Sequence, residues 1–220
     1  MLQLLEVIPS LASANQACLK DEISRLRKDL VKGFHLDIED GNFIPNITFG
    51  LKMIKDLRSI TDLPFSVHLM TYNPERYLPE LNKIGVTSVA VHLEVCKYPK
   101  EIINLAKNME FKIGVALNPK TSAYELDYIM NDLDFVLIMT SEPDNKGQHF
   151  IYQMLQKVSF LSNKKSKAQD IWVDGGITKE ILYEVWKAGA NVAVMGRAIF
   201  NSEDSKAELE RIVNMVKHFN

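Results

Sequence analysis

The stretch FHLDIEDGNFIPNITF, residues 34–49, decides how the rest of the chain is interpreted. It predicts a short apolar strand over residues 34–38 that runs into a polar loop with Gly41 and Pro45. Because side chains alternate between the two faces of a strand, His35 and Asp37 share one face. Such a buried pair is costly unless its polar atoms are satisfied. Hydrogen bonds within the core would satisfy them, and so would a metal ion with imidazole and carboxylate ligands.

The composition is that of an ordinary globular protein. The chain has 220 residues, 46% apolar and 25% charged, which is enough for one sizeable core or two small domains. A net charge of −2 argues against a nucleic-acid groove, which needs a clustered basic surface. Cys18 and Cys96 form neither a ligand cluster nor a disulfide framework, so we expect a cytoplasmic protein. Residues 1–10 do not resemble a signal peptide, and no stretch has the length and apolarity of a membrane span.

Strand-length apolar runs alternate with amphipathic segments along the whole chain. The predicted strands are residues 4–8, 34–38, 65–69, 88–93, 112–117, 135–139, 171–173 and 192–195. The predicted helices are residues 14–32, 51–59, 74–84, 99–108, 123–131, 151–161, 179–187 and 202–217, with Ser202 as the N-cap of the last. Eight such units predict an α/β fold of the (β/α)8 TIM-barrel type, with residues 1–220 as a single domain. An open doubly wound sheet is the alternative, but it would carry a Gly-rich turn after the first strand, where residues 7–10 read VIPS.

Polar side chains gather at the predicted carboxyl ends of the strands, where TIM barrels place their active sites. His35 and Asp37 lie on strand two, His68 on strand three and Asp174 on strand seven. Two imidazoles and two carboxylates suit zinc, iron, manganese or cobalt better than magnesium or calcium, which favour oxygen shells. The alternative is a polar plug in the barrel mouth, which would bury two carboxylates without a cation to neutralise them.

Two carboxylates beside one divalent ion indicate a reaction type. A cation that chelates a carbonyl and a neighbouring hydroxyl would lower the cost of an enediolate. One aspartate could then remove a proton from carbon while the other returns one to the opposite face, which inverts the centre. The run Asp174-Gly175-Gly176, together with Gly196 after strand eight, predicts a phosphate cup of backbone amides.

These residues resemble those of the ribulose-phosphate 3-epimerase family. Residues 35–50, HLDIEDGNFIPNITFG, are similar to its H-x-D-x-M-D-G-x-F-x-P-N-x-T-F-G pattern. Further similar segments follow in the family's order: IPS at 8–10, VHLM at 67–70, ALNPKT at 116–121, MT at 139–140, VDGGI at 173–177 and AIF at 198–200.

The resemblance implies a TIM barrel with one divalent ion, either zinc, iron, manganese or cobalt. It implies that His35, Asp37, His68 and Asp174 are the ligands and that Asp37 and Asp174 are the catalytic acid–base pair. It also implies that the substrate pocket is lined by residues near these ligands and in the phosphate cup, which we take to be Ser10, His68, Met70, Met139, Gly147, Gly175, Gly176, Gly196 and Arg197.

Three positions depart from the family's pattern. Glu39 replaces the methionine of the first motif, the segment at 143–148 keeps only Pro143, Gly147 and Gln148 of the usual lid, and Arg197 replaces a small polar residue. The Arg197 guanidinium could grip a phosphate in a bidentate way or point to solvent. These changes alter the walls and cover of the pocket and leave the metal ligands in place.

Three functions follow as hypotheses. The first is epimerisation at C3 of a ketose phosphate, with D-ribulose 5-phosphate and D-xylulose 5-phosphate as the pair. The second is the same chemistry on a ketohexose phosphate such as D-allulose 6-phosphate. The third is a catalytically silent barrel that binds sugar phosphates, because Glu39 and the altered lid could impair the exclusion of water.

Other expectations concern partners and one further pair of side chains. We expect a sugar phosphate as the small-molecule partner, no nucleic-acid or membrane partner, and a homo-oligomer. His92 and Glu94 at the end of strand four could orient a metal ligand or form a self-satisfied pair at the rim.

Overall fold

Eight parallel strands form one curled sheet in residues 4–143 and 149–219, the part of the chain that the structure, a computed structural model, describes. The strands are β1 (Glu6–Pro9), β2 (Phe34–Glu39), β3 (Phe65–Met70), β4 (Ser88–His92), β5 (Lys112–Leu117), β6 (Phe135–Met139), β7 (Asp170–Asp174) and β8 (Val192–Met195). Each lies within two residues of its predicted position, which confirms the predicted TIM-barrel fold.

The sheet closes between its first and last strands. Hydrogen-bonded pairs run from β2 through β3 and onward to β8, and β8 pairs with β1 in the register Glu6↔Val192. Between β1 and β2 the structure has one isolated parallel bridge, Ser10↔His35. The barrel is therefore nearly closed, and its seam joins the end of β1 to a predicted metal ligand.

Alternation along the strands separates an outer apolar layer from a smaller inner one. In β2, Phe34, Leu36 and Ile38 join the large cluster between sheet and helices. The inner layer fills the barrel below the strand ends and comprises Ile8, Ala90, Ala116, Phe135, Leu137, Met139, Trp172, Val192 and Val194. His35 and Asp37 face inward above this layer, as the alternation predicted.

The helices cover the outer face of the sheet. They are α1 (Leu19–Arg25), α2 (Leu51–Arg58), α3 (Leu78–Ile84), α4 (Pro99–Asn108), α5 (Met154–Lys164), α6 (Leu182–Lys187), α7 (Arg197–Phe200) and α8 (Ser205–Val216). Gly85 has φ of 83° at the C-cap of α3, the left-handed conformation that glycine adopts most readily. Among the described residues, no helix has both the length and the apolarity needed to cross a membrane.

The prediction of one helix over residues 14–32 is wrong. Two 3-10 turns, Leu11–Ser13 and Gln16–Cys18, precede α1, which ends when Leu26 takes an extended conformation with ψ of 147°. The Asn15 side chain accepts a hydrogen bond from the Ala17 backbone N–H and so starts a separate turn. Leu19, Ile23 and Leu26 are buried, as an amphipathic segment predicts, but burial does not require one continuous helix.

The prediction of a helix over residues 123–131 is also wrong. This segment forms two 3-10 turns, Ala123–Leu126 and Met130–Asp132. Ala123, Leu126 and Ile129 are all buried. A spacing of three residues fits one face of an α-helix and of a 3-10 turn alike, so it indicates burial without distinguishing the two.

Ser202 is not the N-cap of the last helix. Asp204 takes that position, and its Oδ1 accepts a hydrogen bond of 3.0 Å from the Ala207 N–H. The Ser202 hydroxyl instead donates to the Ile199 carbonyl at 2.7 Å. Ser202 thus stabilises the end of α7, and the last helix starts three residues later than predicted.

Candidate active site

Four side chains from β2, β3 and β7 converge at the mouth of the barrel. His35, Asp37, His68 and Asp174 each offer one ligand atom, and these atoms all lie within 4.8 Å of one another. Asp37 Oδ1 lies 3.3 Å from both His35 Nε2 and His68 Nδ1, and Asp174 Oδ2 lies 3.5 Å and 3.6 Å from the same nitrogens. The register Asp37↔His68 on adjacent strands produces half of this arrangement directly.

The cluster has the properties of a cation site. His35 Nε2, Asp37 Oδ1 and His68 Nδ1 are buried and have no hydrogen-bond partner among the described residues. Buried polar atoms are rarely left unpaired, and these three face a common point together with Asp174. A hydrogen-bonded core pair or a polar plug would give these atoms hydrogen-bond partners, which they lack, so the donor set fits a divalent metal ion better.

The electrostatics of the cluster also favour a bound cation. Burial lowers the pKa of His35, but the Asp37 and Asp174 carboxylates outweigh burial and raise that pKa to about 10. The pKa of His68 is raised by the same two carboxylates against burial. Burial raises the pKa values of Asp37 and Asp174, yet the neighbouring imidazoles lower both. Two carboxylates therefore attract positive charge at this point, which protons or a metal ion can supply.

The seam of the barrel positions Asp37. The Ser10 hydroxyl donates a hydrogen bond of 2.7 Å to Asp37 Oδ2, and both side chains are buried. The Thr48 hydroxyl donates to the Asp37 backbone carbonyl, so the loop after β2 folds back on its strand. Asp37 thus has one oxygen held by Ser10 and the other directed at the cluster.

A chain of hydrogen bonds extends from His68 away from the cluster. His68 Nε2 and His92 Nε2 lie 2.9 Å apart, and His92 Nδ1 lies 3.0 Å from Glu94 Oε2. Burial lowers the pKa of His92 to about 4. Burial raises the pKa of Glu94, but the bonds from His92 and Thr121 outweigh it and lower that pKa to about 2. His92 therefore contacts a predicted metal ligand, and Glu94 is linked to that ligand through His92, so the two are more than a self-contained rim pair.

A cavity of about 720 Å³ opens above the cluster. Its lining includes the predicted ligands Asp37 and Asp174 and the predicted pocket residues Ser10, Met70, Met139, Gly175, Gly176, Gly196 and Arg197. His35 and His68 are fully buried behind this lining, so a contact between His68 and substrate stays a prediction. Gly147 lies outside the described residues.

The glycines after β7 are explained by their backbone conformation. Gly175 has φ of 111° and Gly176 has φ of 67°, both in the region that other residues rarely adopt. A Cβ on Gly175 would also collide with the Ser141 side chain. This turn brings the backbone of Gly175 and Gly176 to the cavity wall, next to Gly196 and Arg197 at the start of α7.

Glu39 also lines this cavity. Asn46 Nδ2 donates a hydrogen bond of 2.6 Å to Glu39 Oε2, which fixes the carboxylate against the loop after β2. Burial raises the pKa of Glu39, and the nearby Asp37 carboxylate raises it further. The third carboxylate noted in the sequence therefore belongs to the wall of this cavity and is not one of the four clustered ligands.

Three lining residues that precede α5 were not predicted from the sequence. His149, Phe150 and Tyr152 line the cavity, and the Phe150 and Tyr152 rings meet edge to face with centroids 5.2 Å apart. The available signal was their position directly after the segment at 143–148 that resembles the family's lid.

Comparison with known proteins agrees with this geometry. The family model described as Ribulose-phosphate 3 epimerase family matches residues 6–200. The chain belongs to this family. The proteins of this family are epimerases that act on carbohydrates, and such epimerases are isomerases. The chain is therefore an enzyme of the isomerase class, and the hypothesis of a catalytically silent barrel is not supported.

Two curated relatives extend the match over most of the chain. Ribulose-phosphate 3-epimerase of Bacillus subtilis (strain 168) is 39% identical over 213 residues, covering 95% of this chain and 98% of the relative. The chloroplastic ribulose-5-phosphate-3-epimerase of Arabidopsis thaliana is 38% identical over 203 residues, covering 90% and 72%. A solved structure, a mutant tryptophan synthase alpha-subunit from the hyperthermophile Pyrococcus furiosus, aligns with a TM-score of 0.69 at 18% identity over 100% and 99% of the two chains. That likeness concerns the barrel fold alone.

Proposed function

We propose that the chain interconverts D-ribulose 5-phosphate and D-xylulose 5-phosphate by moving a proton at C3. The observation that carries the proposal is the pair of carboxylates, Asp37 and Asp174, that flank one buried cluster and also line the cavity. Inversion of a carbon centre needs one group to remove a proton and another to deliver one from the opposite side. The family match and the names of the relatives support the choice of substrate.

In this proposal the two aspartates rest in opposite protonation states. For either direction of turnover, one carboxylate accepts the C3 proton and the other carboxylic acid donates a proton to the opposite face of that carbon. The next turnover in the reverse direction exchanges the roles. Ser10 donates to Asp37 Oδ2 at 2.7 Å and so orients this carboxylate and favours its charged form.

His35, Asp37, His68 and Asp174 would hold a divalent ion, which we propose to be zinc, iron, manganese or cobalt. Bound there, the ion would supply Lewis-acid polarisation of the substrate carbonyl, an effect of several kcal/mol. The protein supplies the buried setting. His35 and His68 are fully buried above Trp172 and the inner apolar layer, which excludes water from one side of the cluster.

The phosphate would lie at the other end of the cavity. Gly175, Gly176 and Gly196 bring backbone to the cavity wall, and Arg197 lies next to them. Backbone amides after strands seven and eight form the usual phosphate cup of TIM barrels, and a guanidinium suits bidentate contact with phosphate. Met70 and Met139 would pack on the carbon chain between the two ends.

Solvent exchange tests the proposed chemistry. Metal-loaded protein is incubated with D-ribulose 5-phosphate in heavy water, and NMR monitors deuterium at C3 together with the appearance of D-xylulose 5-phosphate. We expect label at C3 in the product; turnover without label would reject proton transfer. His68→Ala should lose both signals. His218→Ala, the same substitution at an exposed histidine, should keep them.

Substrate choice is tested separately by kcat/KM for ribulose 5-phosphate and allulose 6-phosphate. We expect the pentulose phosphate to be preferred. A preference for the ketohexose phosphate would keep the chemistry and reassign the substrate, and Glu39 would then be the first residue to exchange. Absence of turnover with either sugar by metal-loaded protein would reject the proposed activity.

A further inference from the structure

We propose that Glu94 and His92 are positioning residues that fix the tautomer of His68 and thereby direct the lone pair of its Nδ1 into the metal cluster. The inference rests on the proposed metal role of His68 and concerns side chains outside the ligand set. Neither His92 nor Glu94 lines the cavity above the cluster.

The two ring nitrogens of His68 face in opposite directions. Its Nδ1 lies 3.3 Å from Asp37 Oδ1 and 3.6 Å from Asp174 Oδ2, so this nitrogen faces the cluster. Its Nε2 faces the opposite way and lies 2.9 Å from His92 Nε2. A neutral imidazole carries a proton on only one ring nitrogen. His68 can therefore offer a lone pair at Nδ1 only if its proton resides on Nε2.

Glu94 determines which ring nitrogen of His92 carries the proton. A bond between two ring nitrogens at 2.9 Å requires one proton between them. With that proton on His68 Nε2, the Nε2 of His92 must accept, and its own proton must lie on Nδ1. His92 Nδ1 is 3.0 Å from Glu94 Oε2. An ionised carboxylate has no proton to donate, so Glu94 can only accept a hydrogen bond from His92. Glu94 thus selects the tautomer of His92, which in turn selects that of His68.

Glu94 is held in place by the loop after β5. Its Oε1 accepts a hydrogen bond of 2.7 Å from the Asn118 backbone N–H and another from the Thr121 hydroxyl. Lys157 on α5 donates from Nζ to three carbonyl oxygens in the same loop, those of Asn118, Pro119 and Thr121, at 3.0 Å, 3.0 Å and 2.7 Å. A carboxylate held this way is directed at His92 by the loop after β5.

The other imidazole of the cluster has a weaker partner. His35 Nδ1 lies 3.3 Å from the Ser66 hydroxyl, a neutral group at the long end of the hydrogen-bond range. The Glu94 carboxylate, acting through His92, should raise the basicity of His68 more than the Ser66 hydroxyl raises that of His35. His68 should therefore bind the metal ion more strongly than His35, whereas two histidines with equivalent partners would bind it equally.

The tautomers can be observed directly. Protein labelled with ¹⁵N-histidine is loaded with zinc, and two-bond ¹H–¹⁵N NMR spectra identify the protonated nitrogen of each ring. We expect His92 to carry its proton on Nδ1 and His68 on Nε2. Protonation of His92 on Nε2 would overturn the proposal, because His68 Nδ1 would then hold a proton.

Variants test the consequence for metal binding, measured as zinc affinity by chelator competition and as the visible spectrum of the cobalt-loaded protein. His92→Leu and Glu94→Gln should lower zinc affinity by about 10- to 100-fold, the range for groups that support a metal ligand, and should shift the cobalt bands. His92→Gln offers an amide oxygen that accepts from His68 Nε2, so it should restore most of the affinity. Ser66→Ala should cost only about 2-fold, in keeping with a weak neutral hydrogen bond.

Controls separate this proposal from folding and from the proposed activity. Glu101→Gln removes an exposed carboxylate from α4 and should leave zinc affinity unchanged, and thermal unfolding identifies variants that are merely unstable. Equal losses for His92→Leu and His92→Gln would overturn the proposal, as would unchanged affinity in folded Glu94→Gln. Epimerase turnover of the unmodified protein is measured in the same preparation, so absent turnover counts against the proposed function while the tautomers are judged by NMR.

Discussion

Replacing Ser10 by alanine isolates the hydrogen bond that holds Asp37 across the barrel seam. The Ser10 hydroxyl donates to Asp37 Oδ2 at 2.7 Å, and the two residues are only 5% and 6% exposed. A hydrogen bond to a charged group is worth about 1.5–3 kcal/mol. At about 1.4 kcal/mol per factor of ten, full use of this bond in the transition state corresponds to a loss of about 10- to 150-fold in kcat/KM.

The assay is kcat/KM for ribulose 5-phosphate as a function of pH, with metal content checked in each preparation. Loss of the donated hydrogen bond removes a contact that stabilises ionised Asp37, so its pKa should rise. The acidic limb of the kcat/KM profile should therefore move to higher pH in Ser10→Ala. This displacement separates an effect on Asp37 from a general loss of folded protein, which would lower the whole profile.

Ser122→Ala provides a matched control. Both serines cap a 3-10 turn: Ser10 Oγ accepts from the Ala12 N–H at 3.4 Å, and Ser122 Oγ accepts from the Tyr124 N–H at 3.3 Å. The control thus loses the same kind of cap without touching Asp37, and its kcat/KM should stay within about 2-fold of the unmodified protein. If Ser10→Ala behaved like Ser122→Ala, with an unmoved acidic limb, the role assigned to the Ser10 hydroxyl would be wrong.

Three further substitutions test other parts of the structure. Glu39→Met should lower KM for the anionic substrate by about 2- to 5-fold, because it removes a carboxylate from the cavity wall at a Coulomb cost of up to ~1 kcal/mol; an unchanged KM at low salt would contradict this. Gly114→Ala should destabilise the barrel by about 1–3 kcal/mol in urea unfolding, since its Cβ would strike the Phe135 ring, which stacks on Trp172 at 4.5 Å. The pKa of Glu94 is lowered to about 2, so its stabilisation is complete above its unfolded pKa and is lost as pH falls through the folded one. We therefore compare the free energy of unfolding of the unmodified protein with that of Glu94→Gln, both metal-free. The difference should shrink by about 1–2 kcal/mol from about pH 6 to about pH 3, after allowance for partial exposure. A difference that stays constant with pH would refute the stabilising role of ionised Glu94.

The barrel and its cluster were predictable because two simple periodicities determine them. Strand alternation put His35 and Asp37 on one face of β2, and the shared direction of parallel strands in a barrel put His68 and Asp174 at the same end. Helix bounds were less predictable. In residues 14–32 and 123–131 the apolar spacing indicates which side is buried, but side-chain hydrogen bonds and 3-10 geometry determine where regular structure stops.

Contacts between distant segments were beyond sequence reasoning. The Ser10–Asp37 bond joins residues 27 apart, and Thr121 and Glu94, also 27 apart, meet at the loop after β5. Neither pairing has a periodic signal, because each depends on how loops pack once the barrel has formed. The cytoplasmic location, the homo-oligomer and the role of Gly147 stay predictions.

The seam of the barrel has a consequence for the motions of the enzyme. Every other junction between neighbouring strands is a ladder of at least three paired residues, whereas β1 and β2 meet at the isolated bridge Ser10↔His35 within the described residues. Local opening should therefore cost least at this junction. A cation held by His35 and Asp37 on one side, with Ser10 bonded to Asp37 from the other, would act as a staple, so loading the ion should slow amide hydrogen exchange at Ser10 and His35 more than at the ladder between β4 and β5.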